Sequence, residues 1–196
     1  MRVPMYVDGK RVEPSNWMEV RNPAQLDEVV GEAPLGSASD ADAAVEAAGR
    51  AFPEWRNTPV SERAALLVEA GGDLQMRVGE WQELFTREHG KILFEAGLDI
   101  QMAGAVLDYY GHRPELIADR VVEDARGRLV VRPRPLGVCV GIVPWNWPVV
   151  LSATKIGPAL LAGNTLVLKM PDFSPLATLE ALAAVGDHFP PGVLNV

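Results

Sequence analysis

The feature that most limits the fold is an alternation in the last third of the chain. Val138–Val143 is nearly all apolar, Thr165–Lys169 is mostly apolar until its closing lysine, and Gly192–Val196 opens a third such run. Between them, Pro148–Ala162 and Pro175–Asp187 carry helical spacing. Short strands without polar alternation belong to sheets covered on both faces, which is the habit of parallel strands. A βαβαβ order then implies right-handed crossovers within a doubly wound sheet. The expected fold class is α/β, with residues 137–196 forming the first half of a Rossmann-like sheet, incomplete at its C-terminal end.

Upstream the pattern is different. Tyr6–Val12 reads as a surface hairpin turning at Asp8-Gly9, and Asp27–Glu32 as a second extended piece. Ser39 and Asp42 suggest a capping box for a helix from Asp40 to about Ala51. Thr58-Pro59 opens another, with Ala64, Leu67, Val68 and Leu74 on one face and an interruption at Gly71-Gly72. Trp81, Leu84 and Phe85 continue helical spacing to Gly90, and Phe94 to about Arg120 reads as one long amphipathic helix. Leu129–Val131 reads as an exposed strand before Pro133 and Pro135. The division is therefore a hairpin and helical part over 1–123, an extended strand of an oligomerisation element over 124–136, and the sheet from 137.

Composition narrows the partners. A net charge of −8 with 22% charged residues shows no basic stripe, which argues against nucleic acid and anionic membrane surfaces. No apolar run reaches the roughly 20 residues of a membrane span, and the N-terminus lacks the apolar core of a secretory signal. Cys139, the single cysteine, has no internal disulfide partner. These features favour a cytoplasmic protein. Cys139 is expected to be an inert core residue. His89, His112 and His188 stand apart without ligand spacing, so no metal is expected. Glu88 and His89 are expected to be a solvated pair at a helix end.

In open α/β sheets ligands bind beyond the carboxyl ends of the strands. That directs attention to Pro144-Trp145-Asn146 and to Lys169-Met170-Pro171-Asp172. The first group leads into a helix N-terminus whose free N–H groups suit a pyrophosphate or an oxyanion, and Asn146 adds an amide donor. The second offers an ammonium and a carboxylate suited to ribose hydroxyls. The residues alone equally allow Asn146 as a helix cap, Trp145 as packing, and Lys169 with Asp172 as a surface ion pair.

PWNWP at 144–148, Lys155, GPALLAGNTLVLK at 157–169, Asp172 and SP at 174–175 together resemble the aldehyde dehydrogenase superfamily. EHGK at 88–91 and the stretch from Asn22 to Leu67 are similar to that family's N-terminal region, so the resemblance covers essentially the whole chain. It implies an aldehyde-dehydrogenase-like fold in which Ile142, Val143, Pro144 and Trp145 line the cofactor cleft. It further implies that Asn146 donates to the oxyanion, that Lys155 assists proton handling, and that Lys169 and Asp172, with Pro171 between them, hold the adenosine ribose. Met170 and Asp172 depart from the family's usual Pro and Glu. A carboxylate beside the ribose disfavours a 2′-phosphate, so NAD is expected over NADP. No G-x-G-x-x-G occurs.

The family's mechanism uses a cysteine thiohemiacetal and thioester and a glutamate base, both residues lying beyond Val196. The resemblance thus implies part of an NAD-dependent enzyme oxidising a small aldehyde or semialdehyde to the acid, homo-oligomeric (a dimer or tetramer) when full-length, with these 196 residues inactive alone. The alternatives are a non-catalytic cofactor-binding or assembly module and part of a CoA-acylating relative. Gly192–Val196 is expected to leave an open, apolar sheet edge.

Overall fold

A computed structural model describes residues 1–196. The chain opens with a hairpin of β1 (Met5–Val7) and β2 (Lys10–Val12), turned at Asp8 (φ 55°) and Gly9 (φ 72°). It is not the free surface ribbon expected. Tyr6 donates its N–H to the Val196 carbonyl at 2.8 Å and receives that of Val196 at 2.7 Å, while its hydroxyl reaches Asp187 at 2.9 Å. The N-terminal hairpin therefore closes the sheet edge that the sequence left open. The second extended piece lies within β4 (Gln25–Pro34), which pairs antiparallel with an unanticipated strand, β3 (Trp17–Asn22).

Helix α1 (Ala38–Trp55) begins two residues before the expected position, because the capping box is Ser37 with Asp40. Ser37 has the extended backbone a cap requires (φ −97°, ψ 171°), and its N–H reaches the Asp40 carboxylate at 2.8 Å. Helix α2 (Val60–Met76) runs straight through Gly71-Gly72. Gly71 is a contact rather than a break: a Cβ there would stand 2.6 Å from the Gly104 carbonyl oxygen. Helix α3 (Val78–His89) ends on Gly90 in the left-handed region (φ 84°), the usual C-terminal stop. Helix α4 (Leu93–Gly111) stops well short of Arg120, because Pro114 opens a 3-10 turn and disfavours helix in the residue before it. The residues expected to finish α4 form that turn and a short connection to β5 (Arg120–Asp124), which pairs antiparallel with β6 (Gly127–Val131).

The rest follows the anticipated alternation: β7 (Val138–Ile142), α5 (Pro148–Leu161), β8 (Thr165–Lys169), α6 (Leu176–Gly186) and β9 (Leu194–Asn195). The three strands are parallel in the order β7-β8-β9. Helix α1 is tied to this sheet by the Thr165 hydroxyl, which donates to the Ala48 carbonyl at 3.0 Å. Two expectations about β7 need correction. Its covered face carries Gly141, packed against the Lys155 side chain, but its other face is bare, with Val140 62% and Ile142 73% exposed. Cys139, on the covered face with Gly141, is half-buried rather than enclosed. A single cluster of 38 buried residues runs from Val3 to Val196, so the helical part and the sheet share one core.

The adjacent glycines of α2 should respond to alanine with opposite signs. A Cβ placed on Gly72 would meet nothing within 4 Å, so Gly72→Ala should raise stability by about 0.5–1 kcal/mol through helix propensity. Gly71→Ala drives a methyl into the α4 backbone and should lower stability by about 1–2 kcal/mol net. Urea unfolding of both variants checks this, and equal signs would refute the close-packed crossing.

Candidate functional site

Strands β7 and β8 end side by side, since Ile142 and Lys169 are partners in register and the Val143 N–H donates to the Lys169 carbonyl at 3.1 Å. The segments that follow leave the sheet as neighbours. Lys169 and Asp172 form an ion pair of 2.6 Å that is largely exposed. With Met170 and Pro171 they border a cleft of about 250 Å³, which Ser37 at the start of α1 and Leu179 of α6 also line. Pro144, Trp145 and Asn146 are exposed at a separate corner and do not line that cleft. Ile142 lies on the bare face of β7, whereas the Val143 side chain is buried in the core. Lys155 does not meet Asn146. Its stem covers Gly141 and its ammonium donates to the Leu151 carbonyl one turn back, at 3.2 Å.

Behind the Asn146 corner sits a polar cluster that sequence reasoning missed. Lys91 is almost fully enclosed, between the Phe85 and Trp147 rings at 4.3 and 4.8 Å from their centroids. Its ammonium pairs with the wholly buried Asp99 at 3.1 Å and donates to the Asn146 carbonyl at 3.2 Å. The other Asp99 oxygen accepts the Val150 N–H at 2.8 Å. The His89 ring nitrogen Nε2 lies 3.1 Å from the Trp145 carbonyl. A carbonyl only accepts, so Nε2 carries the proton. Glu88 is buried rather than solvated, and its two oxygens accept the Leu176 and Ala177 N–H groups at 2.8 and 2.7 Å.

These contacts revise the helix-end reading. Neither α5 nor α6 has a side-chain cap of its own. Each borrows a carboxyl group from far along the chain, Asp99 for α5 and Glu88 for α6. Amides at both positive helix ends are thus satisfied inside the protein and do not face a pyrophosphate. EHGK was the available signal, but spacing alone did not say which amides its side chains meet.

Burial decides the protonation of this cluster. It lifts the Glu88 carboxyl to about 8 against the opposing pull of two amides and of Lys91. It also raises Asp99 above the ordinary carboxylate value, although the Val150 amide and Lys91 oppose it. For His89, burial and then Lys91 favour the neutral ring. Nδ1 is buried without a partner, which agrees with a neutral imidazole. Asn164 does structural work at the opposite end of β7: its side-chain oxygen accepts the Leu136 and Gly137 N–H groups at 2.6 and 3.1 Å, fixing the entry to the strand.

Residues 10–196 match the profile of the aldehyde dehydrogenase family. An alpha-ketoglutarate semialdehyde dehydrogenase of Haloferax volcanii is 39% identical over 196 residues, covering 97% of this chain and 41% of the relative. Among solved structures, PnpE in complex with nicotinamide adenine dinucleotide aligns over all of this chain and 41% of its own, with a TM-score of 0.91 and 33% identity. An Escherichia coli enzyme described as NADP dependent aligns with the same coverage and TM-score at 32% identity. The chain spans about 41% of the length of the curated relatives it matches.

Two outcomes are expected from the buried cluster. Lys91→Met strands the Asp99 carboxylate and should cost about 3–5 kcal/mol in urea unfolding. Glu88 holds a proton in the folded state that the unfolded chain loses at its ordinary value of 4.5. Its contribution is therefore complete below that value and is lost as pH rises through about 8. Glu88→Gln should flatten the fall in urea midpoint across this window; an unchanged slope would show that Glu88 is ionised throughout.

Proposed function

Because the chain belongs to the aldehyde dehydrogenase family, we propose that it forms the cofactor-side part of an NAD-dependent enzyme oxidising an aldehyde or semialdehyde to the carboxylic acid. The observation that carries this reading is the common ending of β7 and β8. Their register delivers an amide donor, Asn146, and a ribose-sized polar pair, Lys169 with Asp172, to one end of the sheet.

The residues fit a dinucleotide in part. The Asp172 carboxylate accepts from ribose hydroxyls and Lys169 donates to them, beside a cleft and an exposed Ile142 face. The α5 and α6 amides bound by Asp99 and Glu88 offer nothing to the phosphates. A nicotinamide dinucleotide held through its ribose by Lys169 and Asp172 would supply the hydride acceptor for the substrate carbon. Asn146 acts one step earlier. As a thiolate adds to the aldehyde carbon, the carbonyl electrons move onto oxygen and the Asn146 amide N–H stabilises that charge. The thiolate and the base that activates water for thioester hydrolysis come from residues beyond 196. Cys139 is not that thiol, since it stands roughly 10 Å along the strand from Ile142. The exposed β5–β6 hairpin is the element assigned to subunit pairing.

In the full-length dehydrogenase, Asn146→Ala should lower kcat by about 10²–10³ with little change in the KM for NAD. A loss confined to KM would remove Asn146 from the oxyanion. Competing titrations should show NAD bound more tightly than NADP, and Asp172→Ser should narrow the gap by about tenfold. Relatives of both cofactor types exist, so equal affinity in the unaltered protein would overturn the NAD assignment. NADH formation by the 196-residue chain alone would refute the placement of the nucleophile.

A further inference from the structure

We propose that Lys91, together with His89, is a positioning residue for Asn146, holding the peptide units on either side of it so that its amide is fixed at the site. The proposal rests on the reading of Asn146 as the oxyanion donor. Such a donor works only when held to within about 0.5 Å of its productive place, and the segment that carries Asn146 has little means of holding itself. Pro144 and Pro148 lack N–H groups. Asn146 is exposed, and α5 begins without a side-chain cap.

The only hydrogen bonds made within the chain by Pro144, Trp145 and Asn146 are to the corner between α3 and α4. The Trp145 carbonyl accepts from His89 at 3.1 Å and the Asn146 carbonyl from Lys91 at 3.2 Å. In a trans peptide the N–H points away from the C=O. Anchoring two consecutive carbonyls therefore sets both peptide planes and turns the Asn146 and Trp147 N–H groups away from the corner. The anchor is rigid. Lys91 is gripped by Asp99 and by two ring faces, and Asp99 also holds Val150 on the far side of Asn146. Residues 146 to 150 are thereby fixed at both ends to one buried ion pair. His89 adds a third hold from the rim, where its ring lies 6.0 Å from that of Trp145.

The test uses isotope-labelled 196-residue chain and NMR. Lys91→Met combined with Asp99→Asn removes the ammonium without leaving a buried charge, and Asn keeps an acceptor for Val150. The side-chain amide of Asn146 and the backbone amides of Trp145 to Trp147 should shift or broaden, those of Leu176 and Ala177 should not, and Lys91→Arg should restore much of the native pattern. Asn146 signals that stay unmoved in a folded variant would overturn the proposal. If the double variant does not fold, His89→Ala decides in the same way, since it releases the Trp145 carbonyl from the rim. In the full-length dehydrogenase the double variant should lower kcat about tenfold or more at near-constant KM, with no further loss when added to Asn146→Ala. Losses that multiply would sink the positioning role. An unimpaired Asn146→Ala enzyme would instead sink the oxyanion reading, leaving the NMR result to decide the anchor.

Discussion

The buried pair of Lys91 and Asp99 is the interaction on which the geometry of the site depends. Taking an ammonium and a carboxylate out of water costs several kcal/mol per ion, and attraction repays this only where the remaining donors and acceptors are also met. Here they are met on both sides. Asp99 takes an amide of α5, Lys91 takes a carbonyl of the segment before α5, and two aromatic faces enclose the ammonium. The pair thus serves as a joint rather than as a source of net stability. It locks the corner between α3 and α4 against the entrance of α5, and α4 lies along α2 at a crossing close enough to need glycine on both helices.

A second consequence concerns where charge is available. Helix N-termini at strand ends are ready anion sites, and the order of strands and helices makes α5 and α6 obvious candidates. Both are served by the protein's own carboxyl groups, each reaching across a long stretch of chain. In the proposed reading, binding at the strand ends falls to side chains: the amide of Asn146, the ammonium of Lys169 and the carboxylate of Asp172. That division agrees with the absence of a glycine-rich phosphate loop. It also gives Glu88 a purpose that its place at a helix end concealed.

Two surfaces remain open. The outer face of β7 exposes Val140 and Ile142, and Leu136 before it is 91% exposed. The β5–β6 hairpin presents Val121, Val122 and Leu129 to solvent. The opposite edge of the sheet is closed, because the N-terminal hairpin returns to pair with Val196. The open side of the parallel sheet is therefore that of β7, next to the exposed hairpin before it.

The sequence by itself determined the elements whose signals are local. The βαβαβ alternation, the turn at Asp8-Gly9, the stop at Gly90 and the helices around them follow from periodicity and from the backbone preferences of a few residues. The family resemblance, which implies the roles of Asn146, Lys169 and Asp172, was also carried by the sequence alone. The capping box at the start of α1 was legible as a kind of signal but not in its position, which is Ser37 with Asp40 rather than Ser39 with Asp42. What only the tertiary structure decided are contacts between distant residues. Gly71 reads as a helix breaker until α4 is laid against it, and Val138–Ile142 reads as a strand covered twice until one face is found bare. Glu88 reads as solvated until α6 arrives 88 residues later with amides lacking a partner. For Gly71 and Glu88 the physical reason is the same. A buried polar group or a close backbone approach is tolerable only with its partner in place, and that partner is supplied by the fold, not by neighbours in sequence.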